Sequence, residues 1–346
     1  MKRAIFIYLI IFINICQSIN AQDFYVNPLM GNDDNKGTIE NPYKTIEKAV
    51  QKANEITGLG SINIKLFPGV YVLFDKVFIN PVRILENNNR FTIEALTMPD
   101  DSSWTPEKMP IIQSISSNNS ETQFSHSVGF LISTNNVSIR GLKFIGNPNP
   151  LVPYYYPITR ENPSLKNLEV SQCYFIAEKN SSSIQGAVWA HGHEITVEYC
   201  VFYNCRNAIL LFDNINKCSI KNNLIYGAYE SAVWIGDNDA NFEFSKNVIS
   251  SCNFIIVKGS NYKHRYTLSD CVFIGNRNFV GHWSETDDGI SISRENDCVE
   301  SNILRTGEVK LVEREKEYYP NDYLHLSSNS VGYNLNVGIF KKNKNK

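Results

Sequence analysis

The sequence carries no surplus of charge: 33 lysines and arginines stand against 35 aspartates and glutamates, for a net charge of −2. A chain this close to neutral has no excess of cations to displace counterions from phosphates, which argues against nucleic acid as a partner. It also lacks any C-x-x-C pair among its eight cysteines, and with it the usual thiolate spacing of a zinc site. Beyond the first twenty residues no apolar run is long enough to span a bilayer. What is present is a chain of 346 residues with 42% hydrophobic content. That supplies the core of one elongated domain or two compact ones.

The one long apolar run opens the chain. "MKRAIFIYLIIFINICQSINAQDF" sets a basic start before an apolar stretch and a small residue, Ala21, ahead of Gln22. The pattern predicts a signal peptide over 1–21, cleaved after Ala21, and a mature protein that is secreted or periplasmic. Ile15 before Cys16 is too bulky for a lipoprotein signal. Loss of Cys16 leaves seven cysteines, an odd number, in apolar contexts such as "SQCYF", "EYCVF" and "SDCVF". These read as buried thiols acting as small hydrophobes, with no disulfide between Cys205 and Cys252.

The segments "LEVSQCYFIAE", "ITVEYCVFYNC", "CSIKNNLIYGA", "FEFSKNVISSC" and "YTLSDCVFIGN" share the pattern apolar-x-apolar-x-x-(Cys/Asn)-x-apolar. The Cys/Asn column falls at Cys173, Cys200, Asn223, Asn247 and Cys271, in steps of 27, 23, 24 and 24 residues. A near-constant step with period-2 alternation excludes helical repeats and predicts stacked coils of strand. A second strand follows each bend: "GAVWAHG", "NAILLFD", "SAVWIGD", "NFIIVKG" and "NFVGHWS". The expected fold is all-β, a single-stranded right-handed parallel β-helix whose coils rise by ~4.8 Å. One domain covers 22–346, with the N-terminal cap and first coils in 22–135 and an inserted Pro-rich loop in 146–167. Regular coils follow in 168–305, then a terminal coil and basic tail in 306–346.

"NPYKTIEKAVQKANEI" predicts an N-terminal capping α-helix with Asn41 as N-cap, Pro42 in the first turn, and Ile46, Ala49, Val50 and Ala53 on one face. Such a helix covers the unpaired strand row and open core at the end of the stack. "DFYVNPLMGNDDNKGTIENPYKTIEKAVQKAN" followed by "INIKLFPGVYV" resembles the opening of secreted bacterial pectin-lyase-like β-helix proteins. "NVSIRGLKFIGN" and "NDYLHLSSNSVGYNLNVGIF" resemble that superfamily's first full coil and terminal coil. The resemblance spans nearly the whole mature chain and implies the fold. For activity it implies only a set: polysaccharide lyases, glycoside hydrolases, epimerases and proteins without catalysis. The Lys/Arg-with-calcium and Arg-His patterns of β-helix lyases have no match in this sequence.

Alternation then places side chains in columns. With Val188, Ile209, Val233 and Ile255 inward, the outward column holds Trp189, Leu210, Trp234 and Ile256. Two residues on it holds His191, Phe212, Gly236 and Lys258, with Trp283 continuing the row. The first strand presents Glu198, Lys221 and Ser245, an ordinary solvated face. An apolar stripe along one sheet needs a partner, either the loop at 146–167 or a glycan stacked on the indoles. The partner expected is an anionic polysaccharide or oligosaccharide.

The chemistry expected at this groove is β-elimination on a uronic-acid sugar, by a polysaccharide lyase or an oligosaccharide dehydratase. It requires a base, an enolate-stabilising cation and an acid. His191 or His193 is the base, and a tyrosine of the loop (Tyr154, Tyr155 or Tyr156) the acid. Arg160, Lys258 or Arg265 holds the carboxylate. His191 and Lys258 lie three coils apart, about 14 Å, so they do not act on one carbon. Lys258 with His264 and Arg265 forms a second cluster further along. The alternative is glycoside hydrolysis by Asp213 and Asp237, one coil apart and close to the ~5 Å separation of retaining enzymes. Each also sits in a turn context that gives Asp a local capping role. A third reading is a glycan-binding β-helix without catalysis. No cofactor is certain; "GDNDAN" offers oxygen ligands for calcium but lacks the spacing of a complete calcium loop.

Overall fold

The computed structural model describes residues 21–86, 88–236, 242–259, 266–284, 289–292, 298–315 and 319–339. The predicted signal peptide, except Ala21, lies outside them. Three short strands per coil stack in parallel into three faces. The first face runs from Gln22–Val26 and Ile62–Leu66 through Val137–Arg140 to Cys298–Ser301. The second runs from Val70–Leu73 to Val272–Ile274. The third begins at Val77–Ile79 and Ser127–Ile132 and reaches Asn278–Trp283, where Ile290–Ile292 adds an antiparallel edge. The long strands Gly186–Glu198 and Asn207–Asn216 run round the corner and join the third face to the first.

Alternation builds the core. In Ile62–Leu66 the residues Ile62, Ile64 and Leu66 are fully buried while Asn63 and Lys65 face out. Inside, Phe144, Phe175 and Phe202 stack with ring centroids 5.0 and 4.9 Å apart, one coil spacing per ring. The Cys/Asn column forms as expected. The backbone N–H of Cys173 points at Cys200 Sγ (3.4 Å), that of Cys200 at Asn223 Oδ1 (3.0 Å), that of Asn223 at Asn247 Oδ1 (3.0 Å) and that of Asn247 at Cys271 Sγ (3.4 Å). The residue before each column member is left-handed: Gln172, Tyr199, Asn222, Lys246 and Asp270 have φ of 52 to 56°. That conformation turns the chain sharply from the first face to the second. The seven described cysteines are buried thiols that form no disulfide with one another.

The helix Ile46–Asn54 buries Ile46, Ala49, Val50 and Ala53, as its pattern requires. Its N-cap is Thr45, not Asn41. Tyr43 bridges to Val26, so the chain is still extended there, and Asp33 fixes the helix start by accepting from Lys44 N, Thr45 N and Thr45 Oγ1. At the other end, Leu304 bridges to Val272 as one further rung. The chain then folds back as a strap: Val309, Leu324, Leu326, Val337 and Ile339 lie on the outward row Tyr174, Val201, Leu224, Val248 and Val272 of the second face. Among the described residues no helix is long and apolar enough to cross a membrane.

Candidate functional site

The third face has one irregularity that sets its surface. Two successive residues per coil, Ala187/Val188, Ala208/Ile209, Ala232/Val233 and Ile255/Ile256, are all buried in the core. Register pairs Val233 with Ile256 and Trp234 with Val257, so the outward column is Trp189, Leu210, Trp234, Val257. The sequence alignment slipped by one residue in the fourth coil, and a one-residue slip reverses every side chain. Lys258 therefore lies in line with Ala190, Leu211 and Ile235, 1% exposed, inside the coil. It does not reach the groove.

The outward column does build a cavity, of about 490 Å³. Trp189, Leu210, Phe212 and Trp234 form its floor, and Phe124, Tyr154 and Tyr156 its aromatic wall. Trp189 is 3% exposed rather than open to solvent. Phe124 stacks on it at 6.0 Å and 16°, and Tyr156 packs 4.6 Å from it. The cover thus comes from residues 119–126, closed by a Ser120–His126 bridge, together with the strand Tyr155–Arg160. Trp234 is half-buried, and Trp283 extends the row by an edge contact at 6.2 Å. The indole N–H groups of Trp189 and Trp234 are buried and without a partner.

A polar edge faces the aromatics, and the sequence reading missed most of it. Glu230 Oε1 accepts from Arg206 Nε and Nη2 (3.1 and 2.6 Å), and Oε2 from Asn207 Nδ2 (2.6 Å). Arg206 Nη1 also donates to Gln185 Oε1 at 3.1 Å. Burial disfavours the Arg206 charge, but Glu230 outweighs this and raises its pKa. The signal was present: Gln185, Arg206 and Glu230 occupy the same place in successive coils, just before each third-face strand.

Behind Trp189 lie two histidines. His191, expected in the open, is 2% exposed; its Nδ1 donates to Asp213 Oδ2 at 2.9 Å. Burial holds its pKa below the ordinary value, against the upward pull of Asp213. The imidazole is therefore neutral near pH 7, and the contact with the Asp213 carboxylate places its proton on Nδ1. His126, fully buried, donates from Nδ1 to the Phe124 carbonyl and places Nε2 at 3.6 Å from Glu161 Oε1. Burial favours protonation of Glu161, but His126, Thr122 and Ser120 together outweigh it and hold its pKa at about 2.

Other expected residues fall elsewhere. Tyr155 points into the core at 1% exposure, because it is the inward neighbour of Tyr156. Arg160 is fully buried, in line with Ala190, and donates to the carbonyls of His191 (2.7 Å) and His193 (3.1 Å). It braces the strand and cannot hold a substrate carboxylate. His193 sits past a register shift, half-buried, with Nε2 3.0 Å from Asn214 Nδ2. Asp237, His264 and Arg265 lie outside the described residues, as does the calcium-candidate turn at 237–241. Among the described residues no group of three or more His, Cys, Asp or Glu is placed to hold a metal. A larger cavity of about 720 Å³, lined by Asn88, Asn135, Asn136 and Asn167, contains no aromatic ring.

No family model matches the sequence, and no curated protein does. Solved structures similar in shape include a rhamnogalacturonan lyase, 11% identical, with a TM-score of 0.45 over 92% of this chain and 99% of that one. The Dettilon tailspike protein is 12% identical, TM-score 0.43, over 77% of this chain; the match spans about half (48%) of the tailspike. The GH136 lacto-N-biosidase from Eubacterium ramulus is 11% identical, TM-score 0.31, over 75% and 57% of the two chains.

Proposed function

We propose that the protein is an exported, carbohydrate-active parallel β-helix of right-handed coil, closed at its N-terminal end by the helix Ile46–Asn54. It holds a glycan across the third face and cleaves it by β-elimination beside a uronate. The observation that carries this reading is the cavity of about 490 Å³ floored by Trp189, Phe212 and Trp234 with Arg206, Asn207 and Glu230 at its edge. Aromatic faces with a few fixed polar groups suit a sugar ring. The candidate base is His191, which lies behind Trp189, 2% exposed and outside the cavity's lining; its neutral ring has Asp213 to fix its tautomer and stabilise the imidazolium. On this reading substrate entry displaces the cover over the ring, His191 Nε2 takes the proton α to the carboxylate, the C–H electron pair forms the new double bond, and the β-oxygen leaves with the proton of a cavity tyrosine hydroxyl. Tyr154 at the rim and Tyr156 in the wall replace Tyr155 as hydroxyls within the cavity.

The test is incubation with uronate-containing oligosaccharides, following ultraviolet absorbance of the unsaturated product together with product mass. Absorbance with chain cleavage supports the lyase, and absorbance with loss of one water the dehydratase. Glycoside hydrolysis is the second reading, favoured by the Glu230 carboxylate lining the cavity; it gives new reducing ends without absorbance. Binding without any product sinks both.

A further inference from the structure

The charges around the cavity constrain which sugar it takes. Among the described residues two ionised side chains line it, Arg206 and Glu230, and they are paired at 2.6 Å. Their charges cancel, and Asn207 Nδ2 adds a further donor to the carboxylate. The cations once expected to meet a uronate, Lys258 and Arg160, are enclosed in the coil. A carboxylate entering here would meet Glu230 with no unpaired cation among the described lining residues, at the cost of desolvation. A hydroxylated neutral ring meets no such penalty. It stacks on the aromatic faces and exchanges hydrogen bonds with groups that stay partly unsatisfied. Of the five guanidinium N–H groups of Arg206, three are engaged by Glu230 and Gln185, leaving two donors. Trp189 and Trp234 line the cavity with their ring faces, while their indole N–H groups are buried and take no part in this exchange.

We infer that this cavity is a subsite for an uncharged hexose ring, so the substrate is a heteroglycan that sets a neutral sugar beside the uronate. The inference rests on the glycan reading of the cavity but not on the elimination chemistry. Calorimetric titration of the whole protein with cellohexaose, mannohexaose, β-1,4-galactohexaose and an oligogalacturonate hexamer, each at two salt concentrations, tests it. The expected result is binding of at least one neutral hexamer with an affinity that salt does not change. Glu230→Gln then weakens that hexamer about tenfold, through loss of a charge-assisted acceptor and of the fixed Arg206 geometry, and strengthens oligogalacturonate by exposing the Arg206 charge. Should Glu230→Gln melt early, Trp234→Ala serves as the second variant, with the same neutral-hexamer loss expected. Tightest binding of oligogalacturonate to the native protein, weakened by salt, overturns the inference while leaving a glycan site intact. No binding of any hexamer overturns both the inference and the glycan reading.

Discussion

His191 sits where two demands meet, burial that favours its neutral form and an aspartate that favours its cation. Because burial prevails, the acid limb of the pH–rate profile is expected below the ordinary histidine value of ~6.5. Activity is retained above that limb and lost as pH falls through it. Asp213→Ala removes the upward pull, so the limb moves further toward acid and the rate drops; a limb that stays put would remove Asp213 from the mechanism. His191→Ala abolishes turnover, and because the ring is 2% exposed it also lowers the melting temperature. The two indoles separate by the same logic. Trp189→Ala empties space under Phe124 and Tyr156, and is expected to cost about 3–5 kcal/mol in chemical denaturation. Trp234→Ala, at a half-buried position, costs less stability and more ligand affinity. Alternation in the sequence put both indoles on the correct face. It could not show that Phe124, distant in sequence, covers one of them.

At the scale of elements, the bends and the cavity wall follow different rules. The ladder was legible because each Cys or Asn side chain satisfies the backbone of the preceding coil, and that need recurs every 23 to 27 residues. Asn247→Ala leaves the Asn223 N–H and the Ile220 carbonyl without their partner. A loss of about 2–4 kcal/mol in urea unfolding is expected, since each buried unsatisfied group costs about 1–3. The wall at residues 119–126 was not legible, because it breaks the repeat and is held by side chains distant in sequence, among them Glu161 and Lys76. Glu161 accepts from Ser120 Oγ (2.9 Å) and Thr122 Oγ1 (2.7 Å). Its folded pKa of about 2 lies below the ordinary carboxylate value. The anchoring is therefore complete above pH ~4.5 and is lost as pH falls through about 2. Glu161→Gln should release the wall at neutral pH, seen as faster amide exchange over 119–126 and weaker glycan binding. Unchanged exchange there would show that Lys76 and the Phe124 packing hold it without Glu161.

For the molecule as a whole, three faces have three fates. The first is covered by charge, with ladders such as Arg140 between Glu94 and Glu169 and Lys221 beside Glu243. The third carries the cavity. The second would be an apolar sheet in water, were it not covered by the strap that follows Leu304. The sequence reading expected a terminal coil here, from the resemblance of "NDYLHLSSNSVGYNLNVGIF" to the end of other β-helix chains. Only the stacking shows that Tyr174, Val201, Leu224, Val248 and Val272, all buried, form an outward row, which the strap covers together with Trp104 and Met109. His325 Nε2 and the Tyr323 carbonyl meet the Tyr174 hydroxyl at 3.1 and 3.4 Å, and Gly338 N–H donates to the Lys246 carbonyl, so the strap has a fixed register. Each fully buried Val or Leu on this face is worth about 1.5–3 kcal/mol. Leu326→Asp is accordingly expected to lower the melting temperature and to bring up binding of a hydrophobic dye, as the row is uncovered. Affinity for the neutral hexamer should stay within twofold in the same variant below its melting point, because strap and cavity lie on different faces. A variant that keeps its melting temperature and binds no dye would mean the strap is dispensable, and that the second face tolerates water.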